Sequence, residues 1–70
     1  MTQCEMILQH LQTEGSITAA EAMSDYGIMR LASRISDLKK DGVPIRRRMV
    51  KAKNRFGEPM AYAEYSIEEE

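Results

Sequence analysis

The feature that most constrains the fold is a four-residue pattern that occurs twice in the first 21 residues. Thr2-Gln3-Cys4-Glu5 and Thr18-Ala19-Ala20-Glu21 each place a hydroxyl three residues before a carboxylate. In a capping box, the hydroxyl accepts a hydrogen bond from a first-turn amide of a helix, and the carboxylate accepts one from the amide of the cap residue. The two patterns therefore predict that one helix starts after Thr2 and a second after Thr18.

The first predicted helix carries one apolar stripe and ends at Gly15. Cys4, Ile7, Leu8 and Leu11 recur at spacings of three and four residues, which puts them on one side of a helix. Gly15 is typical of a left-handed C-terminal cap. We expect the following side chains to face water: Gln3, Glu5, Gln9, His10 and Gln12.

Two more helices are expected, after a stretch at Ser16-Ile17 that is long enough only for a short strand. The second helix stops at Gly27, and the third ends at Asp41-Gly42-Val43-Pro44. We expect the side chains on the inner face of the second helix to be Ala19, Ala22, Met23 and Tyr26. On the third helix, the inner face should consist of Leu31, Ala32, Ile35 and Leu38. Its opposite side should carry Arg30, Ser33, Arg34, Asp37 and Lys40.

The residues after Pro44 predict a β-hairpin. Ile45–Lys53 and residues 60–67 are rich in β-branched, aromatic and long side chains, with Asn54-Arg55-Phe56-Gly57-Glu58 between them. With Ile45 opposite Ile67, the further pairs are Arg47 with Tyr65 and Met49 with Ala63 on one face, and Arg48 with Glu64 and Val50 with Tyr62 on the other. A slip of one residue would exchange the two faces.

One domain is expected over residues 1–67, because a chain of 70 residues with 43% hydrophobic side chains cannot supply two cores. Residues 68–70 are predicted to be a frayed acidic tail. We expect four of the methionines to fill gaps in the core: Met6, Met23, Met49 and Met60.

The charge is strongly segregated although the net charge is only −1. All ten basic residues lie within residues 30–55, where only Asp37 and Asp41 oppose them, so this stretch carries +8. Residues 1–29 carry −4 and residues 56–70 carry −5. Such a distribution is compatible with a polyanionic partner despite the near-neutral total.

Several classes of function are disfavoured by what the sequence lacks. One cysteine and one histidine cannot make an internal disulfide or a zinc site of four Cys and His ligands. There is no glycine-rich phosphate loop, no paired carboxylate motif and no basic neighbour in sequence to activate Cys4. We therefore expect no enzymatic activity, no cofactor, no metal, no small-molecule ligand, no membrane partner and a cytoplasmic location.

The order of elements predicts an α+β fold of the winged helix-turn-helix type: three helices, with a tight turn at Tyr26-Gly27-Ile28, followed by the hairpin. In that arrangement the third helix enters the major groove of DNA, and the hairpin, or wing, follows the backbone or enters the adjacent minor groove. All the basic residues fall within or beside these two elements.

The chain also resembles the small winged helix-turn-helix proteins of bacteriophages and other mobile elements. The resemblance is carried by Gly15-Ser16-Ile17-Thr18-Ala19-Ala20-Glu21-Ala22, by Tyr26-Gly27-Ile28-Met29-Arg30-Leu31-Ala32-Ser33-Arg34-Ile35-Ser36-Asp37-Leu38, by Lys40-Asp41-Gly42-Val43-Pro44-Ile45 and by Tyr62-Ala63-Glu64-Tyr65-Ser66-Ile67. Met29 stands where members often have Thr, which removes a helix cap or phosphate contact. The resemblance implies DNA binding in the regulation or organisation of phage genes.

Candidate contacts on the third helix follow from side-chain chemistry. Arg30 and Arg34 are one turn apart, and either guanidinium can bond guanine O6 and N7 as a fork, or a phosphate. Ser33 can reach a base edge or a phosphate, whereas Lys40 and, less directly, Lys39 suit the backbone. We expect Asp37 to pair with Arg34 or Lys40, or to accept from a cytosine amine.

The predicted wing carries six cations in ten residues, of which one or two must face inward. Arg55, at the tip beside Gly57, is the candidate for insertion into the minor groove. The wing residues expected to contact DNA are Arg46, Arg48, Lys51, Lys53 and Arg55.

The sequence therefore predicts a double-stranded DNA-binding protein that acts by occupying a site, as a phage transcriptional regulator or an architectural factor. The alternative is a winged helix that docks an acidic protein partner. A homodimer is left open. Helix 1 and an open strand edge are both candidate interfaces for it. Single-strand binding is disfavoured by an aromatic content of only 6%.

Overall fold

A computed structural model describes residues 1–68 and contains three helices and three strands. Their order and bounds are α1 (Gln3–Glu14), β1 (Ser16–Thr18), α2 (Ala19–Tyr26), α3 (Leu31–Lys40), β2 (Ile45–Lys53) and β3 (Pro59–Ile67). The strands form one antiparallel sheet in the order β1-β3-β2. The predicted α+β arrangement of three helices followed by a β-hairpin is confirmed.

Both predicted capping boxes are present. Thr2 Oγ1 accepts from the Glu5 amide at 3.1 Å, and the Thr2 amide donates to Glu5 Oε1 at 3.1 Å. At α2 the matching distances between Thr18 and Glu21 are 3.2 and 2.9 Å. Both helices end at a glycine in the left-handed region, with φ of 89° at Gly15 and 68° at Gly27. Local sequence therefore determines where α1 and α2 begin and end.

The hairpin has the predicted register, from Ile45 opposite Ile67 to Lys53 opposite Pro59. The short strand β1 adds to the other side of β3, with Ile17 opposite Tyr65. Tyr65 therefore lies between Ile17 and Arg47 across the sheet. Only the end of the hairpin next to the helices is anchored in the core, through Ile45 and Tyr65.

The core lies between the three helices and one face of the sheet. Its buried residues are Ile7, Leu11, Ile17, Ala22, Ile28, Leu31, Ile35, Leu38, Ile45 and Tyr65. The predicted inner stripes of α1 and α3 are largely confirmed, with Cys4 and Leu8 partly buried at the edge of the core.

Some predicted core residues are exposed. The eight-residue helix α2 reaches the core through Ala22 and, partly, Tyr26, so Ala19 and Met23 are left in solvent. Ala32 is also exposed, because it lies about 100° around the helix from Leu31. Met49 and Met60 belong to the projecting part of the hairpin and are 54% and 45% exposed, so the expectation that these methionines fill the core is wrong.

His10 is buried rather than solvated, contrary to the sequence expectation. Its side chain is 6% exposed, and its Nδ1 lies 2.7 Å from the Tyr26 hydroxyl in an edge-on arrangement of the two rings. The residue is about 60° around α1 from Ile7, on the side that α2 covers. Its Nε2 has no hydrogen-bond partner among residues 1–68.

The predicted frayed tail begins with an ordered residue. The Glu68 amide donates to the Pro44 carbonyl at 2.7 Å, and its carboxylate lies 3.3 Å from Arg46 Nη2. Glu69 and Glu70, which were assigned to the same tail, lie outside the described residues.

We expect the His10–Tyr26 contact to stabilise the fold measurably. Tyr26→Phe leaves a buried nitrogen without its partner, so the free energy of unfolding should fall by about 1–3 kcal/mol. Urea unfolding followed by circular dichroism measures this. Tyr62→Phe is the matched control, since the Tyr62 hydroxyl makes no hydrogen bond among residues 1–68 and the change should stay within about 0.5 kcal/mol. Equal losses in the two variants would contradict a stabilising role for the contact.

Glu5 should make stability depend on pH. The Thr2 amide, and secondly the Thr2 hydroxyl, hold the pKa of the Glu5 carboxyl below its ordinary value of 4.5. Its stabilisation is therefore complete above about pH 4.5 and is lost as the pH falls through the lower pKa of the folded state. Glu5→Gln keeps a hydrogen-bond acceptor but does not titrate. The stability advantage of the wild type over this variant should shrink between pH 7 and pH 3, and an advantage independent of pH would contradict the assignment.

Candidate nucleic-acid interface

A shallow groove runs between α3 and the sheet. Side chains alternate between the two faces of a strand, so Arg47 shares a face with Ile45 and Tyr65, the face on which the helices pack. Arg47 lines the groove together with Ala32, Ser36 and Lys39 of α3. We call this face of the hairpin the inner face, and the opposite one the outer face.

The exposed side of α3 combines small polar and basic side chains. Ser33 and Lys40 are exposed as predicted. Ser36 and Lys39 are exposed beside them, on the side of the helix that faces the groove. A helix surface of this kind can approach a partner molecule closely, because serine adds little bulk and can donate or accept a hydrogen bond.

Arg30 lies at the start of α3, not within it. The helix begins at Leu31, and Arg30 occupies the N-cap position without a side-chain hydrogen bond to the first turn. Met29 is one residue further out and is exposed. In contrast to α1 and α2, the first-turn amides of α3 have no side-chain cap, and free helix amides of this kind favour an anion.

Arg34 is less open than predicted. Its side chain is 37% exposed, its Nη1 lies 3.7 Å from Asp37 Oδ2, and its buried Nε has no hydrogen-bond partner among residues 1–68. The reason is its position only about 40° around the helix from Leu38, at the edge of the apolar stripe. The expected pairing of Asp37 with Arg34 is confirmed, but Arg34 lies at the edge of the apolar stripe and not on the side of α3 opposite to it.

The structure separates the predicted wing cations into two groups. Arg46 and Arg48 lie on the outer face, each beside a carboxylate: Arg46 Nη2 is 3.3 Å from Glu68 Oε1, and Arg48 Nη2 is 2.9 Å from Glu64 Oε1. Lys51 and Lys53 alternate onto the inner face with Arg47 and are exposed. Arg55 lies in the loop at the tip, between β2 and β3. The outer pair is therefore not brought together with α3.

Two residues of the groove were missed by sequence reasoning. Arg47 was not among the wing residues expected to contact DNA. The signal that could have found it is its position on a strand that projects from the core, two residues beyond the buried Ile45. Ser36 lies about 40° around the helix from Ala32 and Lys40, so a helical projection of α3 could have found it.

The ion pairs are distributed unequally. Among residues 1–68, the three paired arginines are Arg34, Arg46 and Arg48. Within the same described part of the chain, the cations that form no ion pair are Arg30, Lys39, Lys40, Arg47, Lys51, Lys53 and Arg55. The free positive charge thus lies on α3, the inner face of the wing and its tip.

No group of three His, Cys, Asp or Glu side chains in the described chain is arranged to hold a metal ion. None of the helices described here is both long and apolar enough to span a membrane.

Comparison with known proteins agrees with the architecture. A family model described as a winged helix-turn-helix domain matches residues 2–70. No curated protein and no solved structure matched the chain. The family match covers nearly the whole sequence, and the three helices and antiparallel sheet have the expected order. The chain belongs to the winged helix-turn-helix domain family.

Proposed function

We propose that this protein binds double-stranded DNA, with α3 in the major groove and the inner face of the wing along the flanking backbone. The observation that carries this proposal is the distribution of ion pairs. Cations on the outer face are neutralised by Glu64 and Glu68, whereas those on the inner face and on the exposed end of α3 are free. A line of unpaired cations beside an exposed helix is suited to bind the phosphates of a DNA backbone.

The shape of α3 supports the same orientation. The major groove of B-DNA is about 12 Å wide and admits a helix. Ser33 and Ser36 project from the exposed side and can hydrogen-bond base edges or phosphates, while Ala32 offers a methyl group to thymine. Lys39 and Lys40, at the end of the helix, suit the sugar-phosphate backbone.

The start of α3 offers a further phosphate contact. Its amides have no side-chain cap and its first turn has no acidic residue, and Arg30 lies beside them. Arg34 has a different role in the proposal, because Asp37 holds part of its guanidinium and orients it along the helix edge. A guanidinium held in this way loses less freedom when it binds a base or a phosphate.

We further propose that the protein regulates or organises genes of a phage or mobile element by occupying DNA rather than by catalysis. The support for this role is the sequence resemblance described above. Family membership by itself suggests DNA binding.

Removal of one positive charge should weaken DNA binding when the charge lies on the inner face of the wing, but not when it lies on the outer face. If about five phosphates are neutralised, log K should fall with log salt at a slope of roughly −4.5. Arg47→Ala should make the slope less negative by about 0.9 and weaken binding roughly tenfold at ~50 mM salt. Arg48→Ala removes the same charge from the outer face and should change affinity less than about twofold. Fluorescence anisotropy with a mixed-sequence 30-base-pair duplex measures both.

Equal effects of the two substitutions would contradict the proposed orientation, since net charge alone would then explain binding. Preference for single-stranded DNA would contradict duplex recognition. If the wild type fails to bind duplex DNA even at ~50 mM salt, the proposal is overturned in favour of a winged helix that docks an acidic protein partner.

A further inference from the structure

The most exposed large hydrophobic side chain among residues 1–68 is at the tip of the wing. Phe56 is 83% exposed and lies in the loop between β2 and β3. An aromatic ring at a loop tip contributes nothing to the core. Its position is therefore better explained by a contact with a partner than by folding.

The tip is held rigidly by Asn54. The Asn54 Oδ1 accepts from the Phe56 amide at 2.9 Å and from the Glu58 amide at 3.0 Å. The Gly57 amide donates to the Asn54 carbonyl at 3.0 Å, and Gly57 has a φ of 77°, which side chains other than glycine rarely adopt. The backbone that carries Phe56 is thus preorganised before any partner binds.

The wing is long enough to carry this tip from the major groove to the next minor groove. Lys53 is six positions after Arg47, which lies beside α3, and this corresponds to roughly 20 Å of strand. Half a turn of B-DNA, the distance between the centres of adjacent grooves, is about 17 Å.

The charges near the tip favour a nucleic acid as the partner. Lys51, Lys53 and Arg55 form no ion pair among residues 1–68, and Glu58 is held towards Asn54 within the loop. Cations next to an exposed ring suit a site where phosphates flank an apolar surface. The stacked bases at the floor of a minor groove have this arrangement.

We propose that Phe56 is an apolar wedge that enters the minor groove, inserts between adjacent base pairs and bends the duplex. This inference rests on the proposed DNA binding and adds a mechanical activity to it. Side chains such as Phe, Leu and Ile that partly unstack a base step kink DNA by about 20–90° towards the major groove. Flexible steps such as TA and CA cost least to open.

The test is energy transfer between dyes at the two ends of a 30-base-pair duplex with central TA and CA steps, at ~50 mM salt. Anisotropy on the same samples establishes saturation. Wild-type protein should raise the transfer efficiency, because a bend brings the ends closer. Phe56→Ala should still bind, with no more than about a tenfold loss of affinity, but should abolish most of the rise. Phe56→Leu, another wedge side chain, should restore at least half of it.

Met60→Ala is the matched control, since it shortens a half-exposed apolar side chain of the same hairpin on the outer face. It should bend the duplex as the wild type does. A saturated wild-type complex with no rise in transfer, or a full rise with Phe56→Ala, overturns the wedge while leaving DNA binding intact. Failure of the wild type to bind in the anisotropy measurement overturns both proposals.

Discussion

The pairing of β1 with β3 is the interaction on which the rest of the structure depends. Only three residues of β1 take part, yet Ile17 is fully buried and lies opposite Tyr65. The pairing makes β3 the central strand and fixes the hairpin to the helices. Since Arg47 lies on the other side of Tyr65, the same three positions also set where the wing stands relative to α3.

Cross-strand pairing also explains how a protein of net charge −1 presents a positive surface. Arg48 and Glu64 are directly opposite on the outer face, where a salt bridge contributes little to stability but cancels charge locally. On the inner face, Arg47 meets an aromatic residue and no carboxylate. Because side chains alternate between the two faces of a strand, a run of consecutive arginines gives one face with unpaired positive charge and one face whose charge is neutralised.

The sequence predicted the features that depend on neighbouring residues. Helix starts at Thr2 and Thr18 are decided within four residues, and the hairpin register follows from alternating side chains about a five-residue loop. Features that depend on packing were missed. His10 is buried because α2 covers it, and Arg47 is exposed because the groove between α3 and the sheet is open at its position. The residue pattern within one helix or strand does not show which other element packs against it.

The sheet also determines when the fold described above can form. Forming the hairpin requires only a short loop, and such hairpins form in roughly 1–10 μs. Joining β1 to β3 instead closes a much longer loop, from Ser16 to Ser66, which carries a larger entropic cost. A ribosome makes the three helices before β3. During synthesis, α3 therefore exists before the strand that positions the wing, and the full interface appears only after Tyr65 has left the exit tunnel.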